Sequence, residues 1–313
     1  MSGSGHAGDR QTWTPLALLQ WCEGFFREKG IDTPKLDAER LLAHTLGCRR
    51  IDLYLAFDRP LAPAELDTFR DLVRRRAGRE PVAYLTGEAG FWTLELAVGP
   101  GCLVPRPDTE TLVEGALAAV DILREDAPTR PLRLMELGTG SGAIPLALCA
   151  ERTGLDIVAT DASPHALGYA RANRERHATL LAPRQNRLTL VCCRDFAALA
   201  PALRADLIVS NPPYIPTADI AGLAPEVSRA EPRAALDGGP DGLAVYRRLL
   251  ALAPRRLVAG GHMLLETGAE QAPALLVLLG EIPDLTLVDY RRDLAGRPRV
   301  LHVRRDPSET ETT

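Results

Sequence analysis

Three glycines within five residues, Gly138-Thr139-Gly140-Ser141-Gly142, separate the apolar run Leu132-Arg133-Leu134-Met135-Glu136-Leu137 from a segment that starts at Ile144. The run reads as a buried strand and the following segment as a helix, with Pro145 tolerated in its first turn. Glycines let a backbone take conformations closed to other residues and approach a ligand closely. The helix N-terminus then aims free N–H groups at the same place. Strand, glycine loop and helix in this order specify an open α/β sheet that binds its ligand at the strand end. The loop alone leaves the ligand open, because Gly138-x-Gly140-x-x-Ala143 also satisfies the dinucleotide-binding fingerprint.

Three further strands narrow the choice. Asp156 through Asp161 ends in an acid whose carboxylate can accept both ribose hydroxyls of an adenosine cofactor. The alternative is that Asp161 caps the helix opened by Asp-Ala-Ser-Pro. Leu188 through Cys193 is followed by Asp195-Phe196, similar to the place in methyltransferases where an acid meets the adenine and an aromatic packs on its ring. Leu207-Ile208-Val209-Ser210 delivers Asn211-Pro212-Pro213-Tyr214. Two prolines fix φ and supply no N–H, so the chain leaves the sheet as a stiff extended turn. Asn211's carboxamide and Pro212's carbonyl then form a double acceptor suited to a planar –NH2 group, with Tyr214 offering a flat face. A strand-ending turn without chemistry is the alternative. The four residues resemble the Asn/Asp-Pro-Pro-aromatic signature of methyltransferases that act on amide or aromatic amine nitrogens. Dehydrogenases have no use for this last element, and the methyltransferase reading prevails.

With 313 residues there is room for about two domains and a large core. A formal net charge of −4 argues against a dominant nonspecific grip on nucleic acid, which needs clustered cations. Six cysteines show no Cys-x-x-Cys spacing, and adjacent Cys192-Cys193 suit buried thiols. No metal site is expected. The start, residues 1–13, is polar and reads as flexible rather than as a signal peptide, and no apolar run approaches a membrane span. The expected location is the cytoplasm, with no membrane contact and no stable nucleic-acid partner.

Residues 14–86 read as helices, with apolar stripes at Leu18-Leu19, Cys22 and Phe25-Phe26, at Ala38 through Leu46, and at Leu66, Phe69 and Leu72-Val73. Arg74-Arg75-Arg76 reads as a solvated helix end, with a substrate-binding patch as the alternative. Residues 87–105 suggest a β-hairpin linker, Phe91 through Val98 turning at Gly99-Pro100-Gly101 and returning through Cys102-Leu103-Val104. Residues 106–305 hold the strands already named, a helix around Gly242–Ala253, and strands at His262–Glu266, Thr286–Tyr290 and Arg299–Arg304. The polar tail 306–313 reads as disordered.

With these motifs placed, the chain closely resembles the bacterial release factor glutamine methyltransferases (PrmC, formerly HemK) from about residue 14 to 305. The resemblance rests on Pro81 through Gly87, Val104-Pro105-Arg106-Pro107-Asp108-Thr109-Glu110, Glu136 through Gly142 and Asn211 through Ile215. Glu231 through Gly239 and Asp293 through Arg297 extend it. It implies a seven-stranded class I, Rossmann-like S-adenosylmethionine-dependent methyltransferase domain behind a small helical substrate-docking domain and a hairpin. It further implies that Gly138, Thr139, Gly140, Ser141, Gly142, Asp161, Phe196 and Asn211 contact S-adenosylmethionine, and that S-adenosylhomocysteine is the product. Asn211, Pro212, Pro213 and Tyr214 would hold the substrate, with Asn211, Pro212 and Tyr214 catalytic. The implied substrate is the glutamine of the Gly-Gly-Gln motif in class-1 peptide chain release factors, methylated on its side-chain nitrogen N5. For Arg106, Glu110 and Glu231, fixing the neighbouring loops and acting directly in the site stand as equal readings. The rival substrates are a ribosomal protein glutamine and a nucleic-acid adenine N6. An inactive cofactor-binding scaffold is the rival outside enzymes.

Overall fold

The computed structural model describes residues 13–306. The rest of the polar start and tail, expected to be flexible, lies outside the described residues. Trp13 and Asp306, assigned to those ends, are held: Trp13 accepts from the Leu61 N–H at 2.9 Å, and the Asp306 N–H donates to Asp284 at 3.0 Å. The chain divides into two compact units between Thr86 and Gly87.

The first unit consists of α1 (Pro15–Glu28), α2 (Pro34–Leu46), α3 (Arg50–Leu55), α4 (Pro63–Ala77) and α5 (Val82–Thr86). Proline opens α1, α2 and α4, where its fixed φ is already helical and its missing N–H costs nothing. Thr14 caps α1 by accepting from the Ala17 N–H. Cys22, Phe26, Leu41, Leu42 and Phe69 form the core. The arginine run at the end of α4 is not uniformly solvated. Arg74 and Arg75 pair with Asp71 and Glu80 at the surface, but Arg76 is buried and its Nε donates to buried Asp37 at 2.8 Å. Stripe position explains the difference: Arg76 follows Phe69, Leu72 and Val73 around the core-facing side, which no count of local charge reveals.

In the second unit a hairpin comes first, with a different register from the expected one. β1 (Glu88–Phe91) pairs with β2 (Leu94–Ala97) across a turn at Trp92-Thr93, and Trp92 takes φ 55°. Residues 102–104 form no strand; Gly99 through Cys102 is a turn closed by the Cys102 N–H on Gly99. A tryptophan in left-handed backbone is a weak sequence signal for a turn, and the Gly-Pro-Gly downstream is a strong one. Trp92 is fixed by neighbours: its N–H donates to Glu110 at 2.9 Å and its indole to Glu151 at 2.7 Å.

Then follow α6 (Glu110–Asp126), β3 (Leu132–Leu137), α7 (Ala143–Glu151), β4 (Leu155–Asp161), α8 (Pro164–Arg176), β5 (Arg187–Cys192), β6 (Ala205–Ser210), α9 (Pro225–Ser228), α10 (Ala244–Arg256), β7 (Leu257–Glu266), α11 (Ala272–Gly280), β8 (Leu285–Arg292) and β9 (Pro298–Arg305). The seven strands lie in the order β5-β4-β3-β6-β7-β9-β8. All neighbours are parallel from β5 to β7, while β9 runs antiparallel to both β7 and β8. Leu134, Ile157, Leu207 and Val209 on one face pack beneath α6 and α7, and Met135, Ile208, Met263 and Leu265 on the other face α10 and α11. β5 is an edge strand, so Cys192 is exposed and Cys193 half-buried rather than both buried. Among the described residues no helix is long and apolar enough to cross a membrane.

Candidate functional site

β3 has β4 on one side and β6 on the other. From β3 the chain moves outward to β4 and β5, then returns across the sheet to β6. The connections therefore diverge after β3 and β6, and a crevice opens at their C-terminal ends. A cavity of about 580 Å³ lies there, with Gly138, Thr139, Gly140, Ser141, Asp161, Asn211 and Pro213 in its wall. Residues from distant strands meet because every parallel strand ends on the same edge of the sheet.

Gly138 and Gly140 have φ 77° and 57°, the left-handed region that disfavours a side chain. The loop they shape is tied to β4: the N–H groups of Gly138 and Thr139 donate to the Thr160 carbonyl at 2.8 and 2.9 Å. Asp161 does not cap α8. Ser163 does, accepting from the Ala166 N–H at 3.2 Å. Asp161 instead accepts from the Gly140 N–H at 2.9 Å and from the Ser163 N–H at 2.8 Å, one on each carboxylate oxygen. Burial raises its pKa, and these backbone donors oppose the rise. The Ala162 N–H is a third backbone donor, and the acceptor capacity that is left borders the cavity.

Asn211 is fixed from a distance: its Nδ2 donates to the Thr109 hydroxyl at 3.0 Å. Among the described residues no donor reaches Asn211 Oδ1 or the Pro212 carbonyl. The rest of the motif is braced from behind. The Tyr214 carbonyl accepts from Gln271 Nε2 at 2.9 Å, and Ile215 exchanges backbone bonds with Leu236 and Gly238. Gly242 approaches the Tyr214 carbonyl so closely that a Cβ there would collide with it. Burial pushes the Tyr214 phenol up to about 12. Pro212 and Tyr214 stand beside the cavity rather than in its wall. Phe196 lies farther away, fully buried against the core of Met135, Leu137 and Ile208. Its ring faces the sheet because Asp195 caps a short turn and accepts from the Ala197 N–H. Gly142 is likewise behind the wall, as the left-handed N-cap of α7.

Arg106, in the wall, pairs with the nearly buried carboxylate of Glu231. Burial raises the Glu231 pKa and the Arg106 charge opposes the rise. Glu110 holds the Trp92 N–H and so serves the hairpin. Three groups near the site were not singled out by the motifs: Glu136, Glu266 and Thr109, of which Thr109 lines the cavity. Glu136 is fully buried with neither oxygen hydrogen-bonded among the described residues, and burial pushes its pKa up to about 8. Glu266, at the end of β7, is also buried, and burial raises it to about 7. Thr109 links to Asn211 as above. An acid inside an otherwise apolar strand was the available signal for Glu136 and Glu266. For Thr109 the signal was its place in the Val104 through Glu110 stretch, which did not show that it meets Asn211.

Residues 17–87 match the PrmC N-terminal domain and residues 114–226 the methyltransferase small domain. The "Release factor glutamine methyltransferase" of Geobacter sulfurreducens is 43% identical over 85% of this chain and 88% of that protein. That of Rhodopirellula baltica is 38% identical over 94% of this chain and 97% of that protein. A solved protein-(glutamine-N5) methyltransferase (release factor-specific) from Alicyclobacillus acidocaldarius is 28% identical, covering 67% of this chain and 99% of that one, with a TM-score of 0.39.

Proposed function

The chain belongs to the release factor glutamine methyltransferase family, and from that premise we propose that its crevice methylates the N5 amide nitrogen of the Gly-Gly-Gln glutamine in a class-1 peptide chain release factor. The observation that carries this reading is the Asn211 carboxamide, anchored through Nδ2 and open at Oδ1. The carbonyl of Pro212, the next residue in the chain, likewise meets no donor among the described residues. Two acceptors on adjacent residues match the two N–H bonds of a primary amide.

The donor set fits S-adenosylmethionine. The Asp161 carboxylate lines the cavity with acceptor capacity beyond its backbone donors, suited to a ribose hydroxyl, and left-handed glycines bring main chain to the cavity wall. Gly138, Thr139, Gly140, Ser141, Asp161 and Asn211 would hold it. When bound, it supplies an electrophilic methyl group on a sulfonium.

A carboxamide nitrogen is a poor nucleophile because its lone pair is delocalised into the carbonyl. Asn211 Oδ1 and the Pro212 carbonyl, accepting its two N–H bonds, raise electron density on nitrogen and orient it. The Asn-Pro-Pro-Tyr turn is rigid, so orientation costs little at the moment of reaction. No side chain has to remove a proton first; the methylated nitrogen loses one readily once its lone pair is engaged. Specificity requires remote contacts, because one glutamine side chain is too common to identify a protein. The helical unit would supply them: Ile51, Tyr54, Leu55 and Phe57 expose apolar side chains around α3.

The test offers methyl-labelled S-adenosylmethionine with release factor, ribosomal protein and DNA in parallel. Label should appear on the Gly-Gly-Gln glutamine alone. Label on DNA, or on ribosomal protein in preference, would overturn the assignment.

A further inference from the structure

The two ends of the Asn211 carboxamide have nearly the same shape and opposite chemistry: oxygen accepts and –NH2 donates. Only the oxygen can serve a substrate –NH2 group. Packing does not distinguish the two ends, so something must. The single polar contact of the Asn211 carboxamide among the described residues is with the Thr109 hydroxyl, at 3.0 Å. A hydroxyl has one proton, and where that proton goes decides whether Thr109 donates to Asn211 or accepts from it.

Glu266 decides it. Glu266 is 1% exposed, and its Oε2 completes no hydrogen bond among the described residues. Thr109, itself 4% exposed, sets its hydroxyl beside that carboxyl. An ionised carboxylate only accepts, so the Thr109 proton turns toward it, leaving Thr109 an acceptor for Asn211. The –NH2 end of Asn211 must then face Thr109 and its oxygen the cavity. We propose that Thr109 and Glu266 are positioning residues that together set which end of the Asn211 carboxamide meets the substrate nitrogen. This rests on the function proposed above and adds to it two residues on β7 and the turn before α6.

The arrangement makes activity depend on pH. Besides Thr109, the groups facing Glu266 are Tyr214 after β6, Asp108 in the turn before α6, Arg299 on β9, and the Tyr246 phenol of α10 on its main-chain carbonyl. Burial and Asp108 raise its pKa while Thr109, Arg299 and Tyr214 lower it, leaving it near 7. Above that pH the carboxylate enforces the productive orientation. Below it the protonated acid can donate to Thr109, the hydroxyl proton is free to turn to Asn211 Oδ1, and the amide can reverse.

The experiment measures kcat, KM for intact release factor and the S-adenosylmethionine dissociation constant from about pH 6 to about pH 9, spanning that pKa. Wild type should show kcat rising with pH through about 7. Thr109→Val keeps the shape and loses the acceptor; its kcat should fall about tenfold or more, the scale of one orienting hydrogen bond. Its dissociation constant for S-adenosylmethionine should stay within about twofold of wild type, which also reports an intact fold. Thr109→Ser should restore most of the rate. Glu266→Gln cannot ionise, so its kcat should lie below the wild-type plateau and lose the acid limb. A wild-type kcat in Thr109→Val, an absent acid limb in wild type, or a limb persisting in Glu266→Gln would each overturn the positioning while leaving methylation of release factor standing. Wild-type enzyme inert on release factor would sink the proposed function and this inference together.

Discussion

Replacing Asp161 by alanine separates its two roles, bracing the loop and holding ribose. Each carboxylate oxygen already accepts one backbone N–H, from Gly140 and from Ser163. The Ala162 N–H is a third backbone donor, and the acceptor capacity left over borders the cavity, where a ribose hydroxyl can reach it. Losing charge-assisted hydrogen bonds to a ligand costs about 1.5–3 kcal/mol, so S-adenosylmethionine affinity should fall roughly ten- to a hundredfold. The backbone donors lose their partners as well, and the melting temperature should drop with them. Asp161→Asn is no milder. One of its ends becomes –NH2, which must confront either the Gly140 or the Ser163 N–H, a donor against a donor. Titration calorimetry on wild type and both variants, with melting curves alongside, reads both roles. An unchanged dissociation constant beside a lowered melting temperature would refute the ribose contact and leave Asp161 a brace of the glycine loop.

Asn211→Ala should abolish methyl transfer while much of the cofactor affinity survives; a variant keeping about a tenth or more of wild-type turnover would remove Asn211 from the reaction. His262 Nδ1 lies 2.8 Å from His302 Nε2 inside the sheet, and burial and its neighbours lower the His262 pKa from 6.5 to about 4. The folded state thus favours the neutral ring, and its contribution is complete above about pH 6.5 and lost as pH falls toward 4. Between about pH 7.5 and pH 5 wild type should lose about 2 kcal/mol more stability in urea than His262→Gln, and equal losses would contradict the shift. Asp37→Ala leaves the Arg76 guanidinium buried without its carboxylate, which should cost about 3 kcal/mol or more in the same assay. Leu55→Ser combined with Phe57→Ser should raise KM for intact release factor and leave S-adenosylmethionine binding alone; an unchanged KM would deny this surface a docking role.

What the sequence determined by itself is the part written in near-neighbour backbone chemistry. A short apolar run, positive-φ glycines and a helix start specify the loop at Gly138 through Gly142, and two prolines stop β6 at Asn211. Parallel strands ending on one edge then bring Gly138, Asp161 and Asn211 to one cavity without any knowledge of side-chain contacts. Tertiary structure decided everything that depends on which face a residue turns to and what meets it there. Thr109 holds Asn211 across 102 positions of sequence, a pairing no local pattern encodes. Asp161 and Ser163 divided bracing and capping between them, although either residue type can cap a helix. Phe196 went into the core because a turn capped by Asp195 aims it there, and Arg76 went inward because α4 turns that position toward Asp37. The hairpin turned at Trp92 rather than at Gly-Pro-Gly because Glu110 and Glu151 hold that tryptophan in place. Backbone preferences act over a few residues and are legible in order along the chain. Burial and hydrogen bonding are satisfied only once distant segments have met.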